Sequence, residues 1–167
     1  MTPLPLKTQL APVFGMITGD FNQDQYLDVL VVGNFYGNNP FWGKMDAMNG
    51  LFLKGRGNGQ FDVTEYPESG FLVPGDAKAV VNMPLSDGRQ LILVSQNQDS
   101  LKAFTSKYYG NIAELSTNDK YADIIFEDGS VRRQEFYFGN TYLSQGPRLF
   151  RVPENIKTYK IFNSPEK

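Results

Sequence analysis

The residues best suited to chemistry fall in one short stretch, Asp20-Phe21-Asn22-Gln23-Asp24-Gln25-Tyr26-Leu27-Asp28. Asp20, Asn22, Asp24 and Asp28 stand at positions 1, 3, 5 and 9 of this run, and Tyr26 brings a backbone carbonyl to position 7. Oxygen donors spaced in this way curl around a hard cation at about 2.3–2.6 Å, which is calcium chemistry. The opening matches an EF-hand loop, but position 12 is Val31 and not a bidentate Glu, and position 6, usually Gly, is Gln25. The flanks, residues 13–18 and 29–32, have strand character, so a strand–loop–strand site is expected. Residues 8–43 contain no Lys or Arg. Three carboxylates crowded without a local counter-charge repel one another, and a divalent cation would remove that cost. The competing reading is an Asx-rich turn with solvated carboxylates and no ion.

Composition removes other chemistries. The chain of 167 residues contains neither Cys nor His, which eliminates disulfides, thiolate nucleophiles, His-based triads and most zinc sites. With 16 Lys and Arg against 18 Asp and Glu, nucleic acid is not an expected partner. No stretch has the apolar length of a membrane span. The first residues, Met1-Thr-Pro-Leu-Pro-Leu-Lys7, lack the charged start and apolar run of a secretory signal.

The elements that must position the loop are short apolar runs at residues 29–32, 51–53, 79–81, 91–94 and 122–126. Asn58-Gly59, Asp87-Gly88 and Asp128-Gly129 supply hairpin turns, because these residues tolerate positive φ. No helix-length window carries a 3.6-residue stripe. The expected fold is all-β, with two propeller-blade-like antiparallel sheets and a small C-terminal β module. Residues 14–34 align without a gap on residues 77–97, placing Asn34 on Asn97, and residues 38–50 read as an insertion in the first copy. In the second copy Met83, Leu85, Asp87 and Leu91 replace the four oxygen-bearing residues, so no ion is expected there. The boundary is drawn between residues 1–107 and 108–167.

These residues carry a family resemblance. Residues 19–34 resemble the FG-GAP/VCBS repeat, the calcium-binding hairpin of integrin-type β-propellers, and residues 51–61 are similar to the hairpin that follows it. Residues 122–130 and 139–145 resemble the ASPIC/UnbV module that ends many such proteins. The resemblance implies a secreted or cell-envelope protein of several blades, of which this chain supplies about two, as the C-terminal part of a larger polypeptide. An isolated pair of blades is expected to leave apolar surface or strand edges open to self-association.

Beside the acidic loop in sequence, residues 34–43 place Phe35, Tyr36, Phe41 and Trp42 among Asn and Gly. Aromatic faces with amide donors suit a glycan or a protein partner; packing between blades is the alternative. Asp46, Asp62, Glu65, Glu68 and Asp76 supply carboxylates but no motif that fixes a catalytic separation, and Ser144 lacks a nucleophile pattern and a His partner. The chain therefore reads as a non-enzymatic module for binding or adhesion, in which Ca2+ is structural. A carbohydrate-binding accessory part of a larger secreted enzyme is the alternative.

Overall fold

In the computed structural model, residues 3–108, 110–139 and 147–163 are described. The chain is all-β. After a single 3-10 turn at Leu6–Gln9, strands β1 (Val13–Gly19), β2 (Asp28–Gly33), β3 (Leu51–Gly55) and β4 (Phe61–Thr64) form one antiparallel meander. Strands β5 (Ala77–Pro84), β6 (Gln90–Gln96) and β7 (Lys102–Thr105) form a second. Beyond them β8 (Ile112–Glu114) pairs with β11 (Leu149–Arg151), while β9 (Tyr121–Phe126) lies between β10 (Val131–Glu135) and β12 (Ile156–Phe162). No described sheet mixes strands from before and after the connection between β7 and β8.

The turns follow local chemistry. Gly59, Gly88 and Gly129 all have φ near +80°, and each sits in the connection that its Asn-Gly or Asp-Gly pair predicts. The β-strand alternation then decides what is buried. Ile17, Leu30 and Val32 of the first sheet meet Val80, Ile92 and Val94 of the second, with Phe71 and Val73 completing this core. The opposite face of the first sheet is also closed: Val29, Val31, Leu51 and Leu53 cluster with Met48, and Ala11, Phe61 and Val63 pack against them. Both faces of the first sheet carry a packed cluster, while β1 and β4 remain as its edge strands. In the second, Ala79, Val81, Leu91 and Leu93 are only half-buried. A third cluster, built on Ala122, Ile124, Phe126 and Phe150, holds the C-terminal strands together.

The internal repeat holds in three dimensions, with one correction. In the first hairpin Val13 pairs with Gly33 and Gly15 with Val32, a bulge lying between. In the second Ala77 pairs with Gln96 and Ala79 with Ser95, with the bulge in the same place. Gly19 with Asp28 is the last pair of the first hairpin, and its equivalent in the second is Met83 with Leu91, beyond which Pro84 still pairs with Gln90. Between these equivalent pairs the second hairpin is thus one residue shorter, and the ungapped alignment is out of step along its first strand. The insertion is confirmed: residues 34–50 link β2 to β3, whereas residues 97–101 suffice between β6 and β7. The backbone N–H of Asn34 donates to the Pro12 carbonyl at 3.0 Å, and that of Asn97 to the Asp76 carbonyl at 2.8 Å, so the aligned asparagines occupy equivalent positions.

Leu53 is fully buried and Leu101 is 61 % exposed, which gives a direct test of this packing. Leu53→Ala is expected to lower unfolding free energy by about 2–5 kcal/mol. Leu101→Ala should stay within about 0.5 kcal/mol. Parallel urea titrations of the two variants check the contrast.

Candidate functional site

The acidic loop, residues 20–27, caps the β1–β2 hairpin, and its conformation is written by its own side chains. Asp20 accepts the N–H of Asp24 on Oδ1 at 3.1 Å and that of Gln25 on Oδ2 at 3.0 Å. Asn22 Oδ1 accepts the Asp24 N–H as well, at 3.0 Å, and Asp24 Oδ1 accepts the Tyr26 N–H at 3.0 Å. Asn22 Nδ2 donates to Asp24 Oδ2 at 3.0 Å. Gln23 and Gln25 adopt φ of 61° and 73°, so the sharp turn expected to need Gly is made with Gln in the left-handed region. The Tyr26 ring is half-exposed and lies where a Cβ on Gly57 would fall, 2.3 Å from its Cε1.

Asp28 is the deepest of the set, with no exposed surface. Its Oδ2 accepts the Phe21 N–H at 3.0 Å and its Oδ1 the Gly55 N–H at 2.9 Å. Burial pushes the Asp28 carboxyl up to about 6, against the two N–H donors that favour its charged form, while Asp24 and Asp20 add repulsion. Asp20 is raised too, mainly by burial; the Gln25 N–H and Arg132 oppose that rise, and Asp24 adds to it.

Positive charge comes from outside the loop. Lys54 Nζ lies 3.3 Å from Asp24 Oδ2. Arg132 Nη1 donates to the Gln25 carbonyl, and Arg151 Nη1 to the Asp20 carbonyl at 3.4 Å. Both arginines come from the C-terminal strands. Neither was visible as a partner of this loop in the sequence, because they lie more than a hundred residues away from it.

The residues present fit a hard cation in donor type. Asp20, Asn22, Asp24 and Asp28 are brought into one turn, and carboxylate oxygens that accept an N–H keep a second lone pair. Among the described residues, however, no three acidic side chains are gathered in metal-holding geometry, and the carboxylate oxygens here face backbone N–H groups. In the second hairpin Leu91 takes the place of Asp28. There the turn is closed by the Leu85 N–H to the Arg89 carbonyl at 2.8 Å and by Asp87, which accepts from Arg89 Nε at 2.8 Å.

The aromatic insertion does not lie beside the acidic loop, as its nearness in sequence suggested. The loop precedes β2 and the insertion follows it, so they occupy opposite ends of a six-residue strand, roughly 20 Å apart at about 3.3 Å per residue. The four aromatics also divide. Phe41 and Trp42 are 97 % and 83 % exposed. Phe35 forms a β-bridge with Met45 and its ring lies 6.2 Å from that of Phe14. Tyr36 donates its hydroxyl to the Pro74 carbonyl at 3.2 Å, with Lys44 Nζ 4.3 Å from its ring centre.

The residue that anchors this insertion is Asn34. It is completely buried, with φ of 82°. Its Nδ2 donates to the carbonyls of Met48 at 2.6 Å, Pro74 at 3.1 Å and Gly75 at 3.1 Å, and its Oδ1 accepts the Met48 N–H at 3.0 Å. Lys78 reaches the Asn34 carbonyl at 3.3 Å, pairs with buried Asp76 at 2.5 Å and sits 3.7 Å above the Phe14 ring. Sequence alone marked Asn34 only as an aligned position.

Other carboxylates raised as catalytic candidates are committed to ion pairs: Asp62 with Arg56, Glu65 with Lys7, and Asp76 with Lys78. Residues 140–146, which include Ser144 and most of the second segment resembling ASPIC/UnbV, lie outside the described residues. No helix of the described residues is long and apolar enough to cross a membrane. Comparison with protein-family models and with curated proteins yields no match.

The Asp28 geometry sets a pH dependence. A carboxyl raised from 3.8 to about 6 binds its proton more tightly in the folded state. In calcium-free buffer, stability should therefore fall as pH rises from about 4 to about 6, by on the order of 2–3 kcal/mol from this group. Denaturant titrations across that window check the slope, which Asp28→Asn should flatten.

Proposed function

We propose that this chain is a calcium-stabilised β-propeller-type module for binding or adhesion outside the cell or at its envelope, akin to FG-GAP/VCBS repeats. The observation that carries the reading is the concentration of Asp20, Asn22, Asp24 and Asp28 in one turn, with two of the carboxyls raised by burial. Burial is the larger cost to these charges and mutual repulsion the smaller, and a divalent cation would relieve both beyond what Lys54 and Arg132 supply. Side-chain oxygens of those four residues, with the Tyr26 carbonyl, would hold the ion. Its contribution is to fix the hairpin, since ligands drawn from the protein leave little room for Lewis-acid chemistry on a substrate. The meanders support the same reading, because each presents a blade-like antiparallel sheet.

Thermal unfolding tests this. Calcium at about 100 times its dissociation constant should add roughly 2.7 kcal/mol, seen as a higher melting midpoint than in chelator. Asp24→Ala should abolish the rise; equal midpoints for the unaltered chain with and without calcium would end the calcium reading.

Phe41 and Trp42 favour a second element of function. Large aromatic rings left this exposed on an anchored insertion form a contact surface for a protein or glycan partner. A carbohydrate-binding accessory role belongs to the same surface. Trp42 is the only tryptophan, so its emission reports on the insertion alone. Titration with candidate saccharides should shift that emission under the carbohydrate reading, and Phe41→Ala should weaken the interaction at least about tenfold. An emission unmoved by saccharides but moved by a protein partner assigns the surface to adhesion.

A further inference from the structure

Among the described strands, β4, β5, β7, β8, β10, β11 and β12 each have a free edge. Each also carries at least one charged side chain, from Asp62 in β4 to Lys157 and Lys160 in β12. Charge on an edge strand discourages pairing with another sheet. One edge is left without this protection. β1, Val13–Gly19, holds neither a charged residue nor Pro, and β2 is its only ladder partner among the described residues.

A cavity of about 790 Å³ runs along this strand, between it and the C-terminal strands. All seven residues of β1 line it, in unbroken succession. A space over the face of a strand meets every second residue, whereas one along its edge meets them in turn. The cavity therefore borders the edge of β1 that β2 leaves free. On the far side β11 behaves in the other way: Leu149 and Arg151 line the cavity, while Phe150 between them is buried in the third cluster. Ile112, Leu115, Phe136 and Leu149 make that far wall apolar. The charged residues around the cavity balance, with Asp20, Glu135 and Glu154 against Arg132, Arg148 and Arg151.

From this arrangement we infer that the cavity is a docking groove for a single extended, uncharged peptide segment, which adds to β1 as a further strand. Backbone N–H and C=O groups on a free edge pair with such a segment, and the pockets that flank it select its side chains. The C-terminal strands stand across the groove from β1. An edge strand already built into a folded sheet would drive its neighbours into them, whereas a lone strand needs only about 4.8 Å of width. A strand takes up roughly 4.8 Å by 10 Å in cross-section and 3.3 Å per residue, so the cavity accommodates about five residues. Balanced charge gives no advantage to a charged segment, and the apolar far wall favours β-branched aliphatic side chains. This inference is independent of the acidic loop's ion and of the aromatic insertion.

The test is a titration of the 15N-labelled full chain with the capped pentapeptide acetyl-Val-Thr-Val-Thr-Val-amide. Saturable shifts at the amides of Met16, Ile17 and Thr18 are expected, with slowed hydrogen exchange among them and none at the edge strand β7. Two further peptides carry N-methyl groups on one or the other alternate set of amides. Only one set faces β1 in an added strand, so one of these peptides should bind at least about tenfold more weakly than the other. Ile112→Trp, which fills the groove from its far wall, should weaken the unmethylated peptide at least about tenfold. Should that variant unfold, Met83→Trp narrows the groove from the β5 side and supplies the same test. No saturable shift, shifts confined to other surfaces, equal binding of the two methylated peptides, or unaltered affinity in the folded variants would overturn the inference.

Discussion

Asp28 joins three strands through one buried carboxylate. It ends the β1–β2 pairing opposite Gly19, takes the Phe21 N–H from the loop, and takes the Gly55 N–H from β3. The contact with β3 depends on Gly55, where a Cβ would come within 2.2 Å of the Leu27 carbonyl oxygen. Both parts are needed: the carboxylate supplies two acceptors, and the glycine lets the backbone approach. Because the acceptors serve backbone donors that would otherwise be unpaired, loss of the carboxylate exposes the hairpin and its neighbour together. The acidic loop, the raised carboxyls and the reach of Arg132 are all arranged around this anchor.

The second hairpin shows what replaces it. Leu91 stands in the position of Asp28, and the Ser106 N–H, equivalent to that of Gly55, donates instead to the Gln90 carbonyl at 2.9 Å. A strand bond thus substitutes for a side-chain bond, and the turn shortens by one residue. Two copies of one hairpin have settled the same backbone problem by different means, one with charge and one with pairing. Only the first retains the density of oxygens that suits an ion.

The hairpins were legible in the sequence because their signals are local. Asn58-Gly59, Asp87-Gly88 and Asp128-Gly129 declare turns, and the runs at residues 29–32 and 91–94 declare buried strands. The shorter turn was not legible, since apolar residues on both sides allow the alignment to slip by one without an obvious penalty. Strand β12 was passed over for a related reason: Lys157, Thr158, Tyr159 and Lys160 are all exposed, so no apolar alternation marks it, although Ile156 and Ile161 towards its ends pack on the third cluster. The four oxygen-bearing residues of the loop were readable from spacing alone. Lys54, Arg132 and Arg151 were not, because they arrive through tertiary packing. The burial of Asn34 has the same origin: its partners at Pro74 and Gly75 are fixed only when the second sheet docks on the first.

Strand β2 separates the acidic loop from the exposed rings of Phe41 and Trp42, and all six of its residues are buried. Linkage between two sites requires that occupying one changes the free energy of the other. Strand β2 is packed on both faces and paired on both edges, with Asp28 at one end and Asn34 beyond the other, so any second arrangement of it would break buried contacts. Such a strand behaves as a strut: it transmits position but no preference. Were an ion to bind at one end and a partner at the other, the two events would add without linkage, and reciprocity would make that independence hold in both directions.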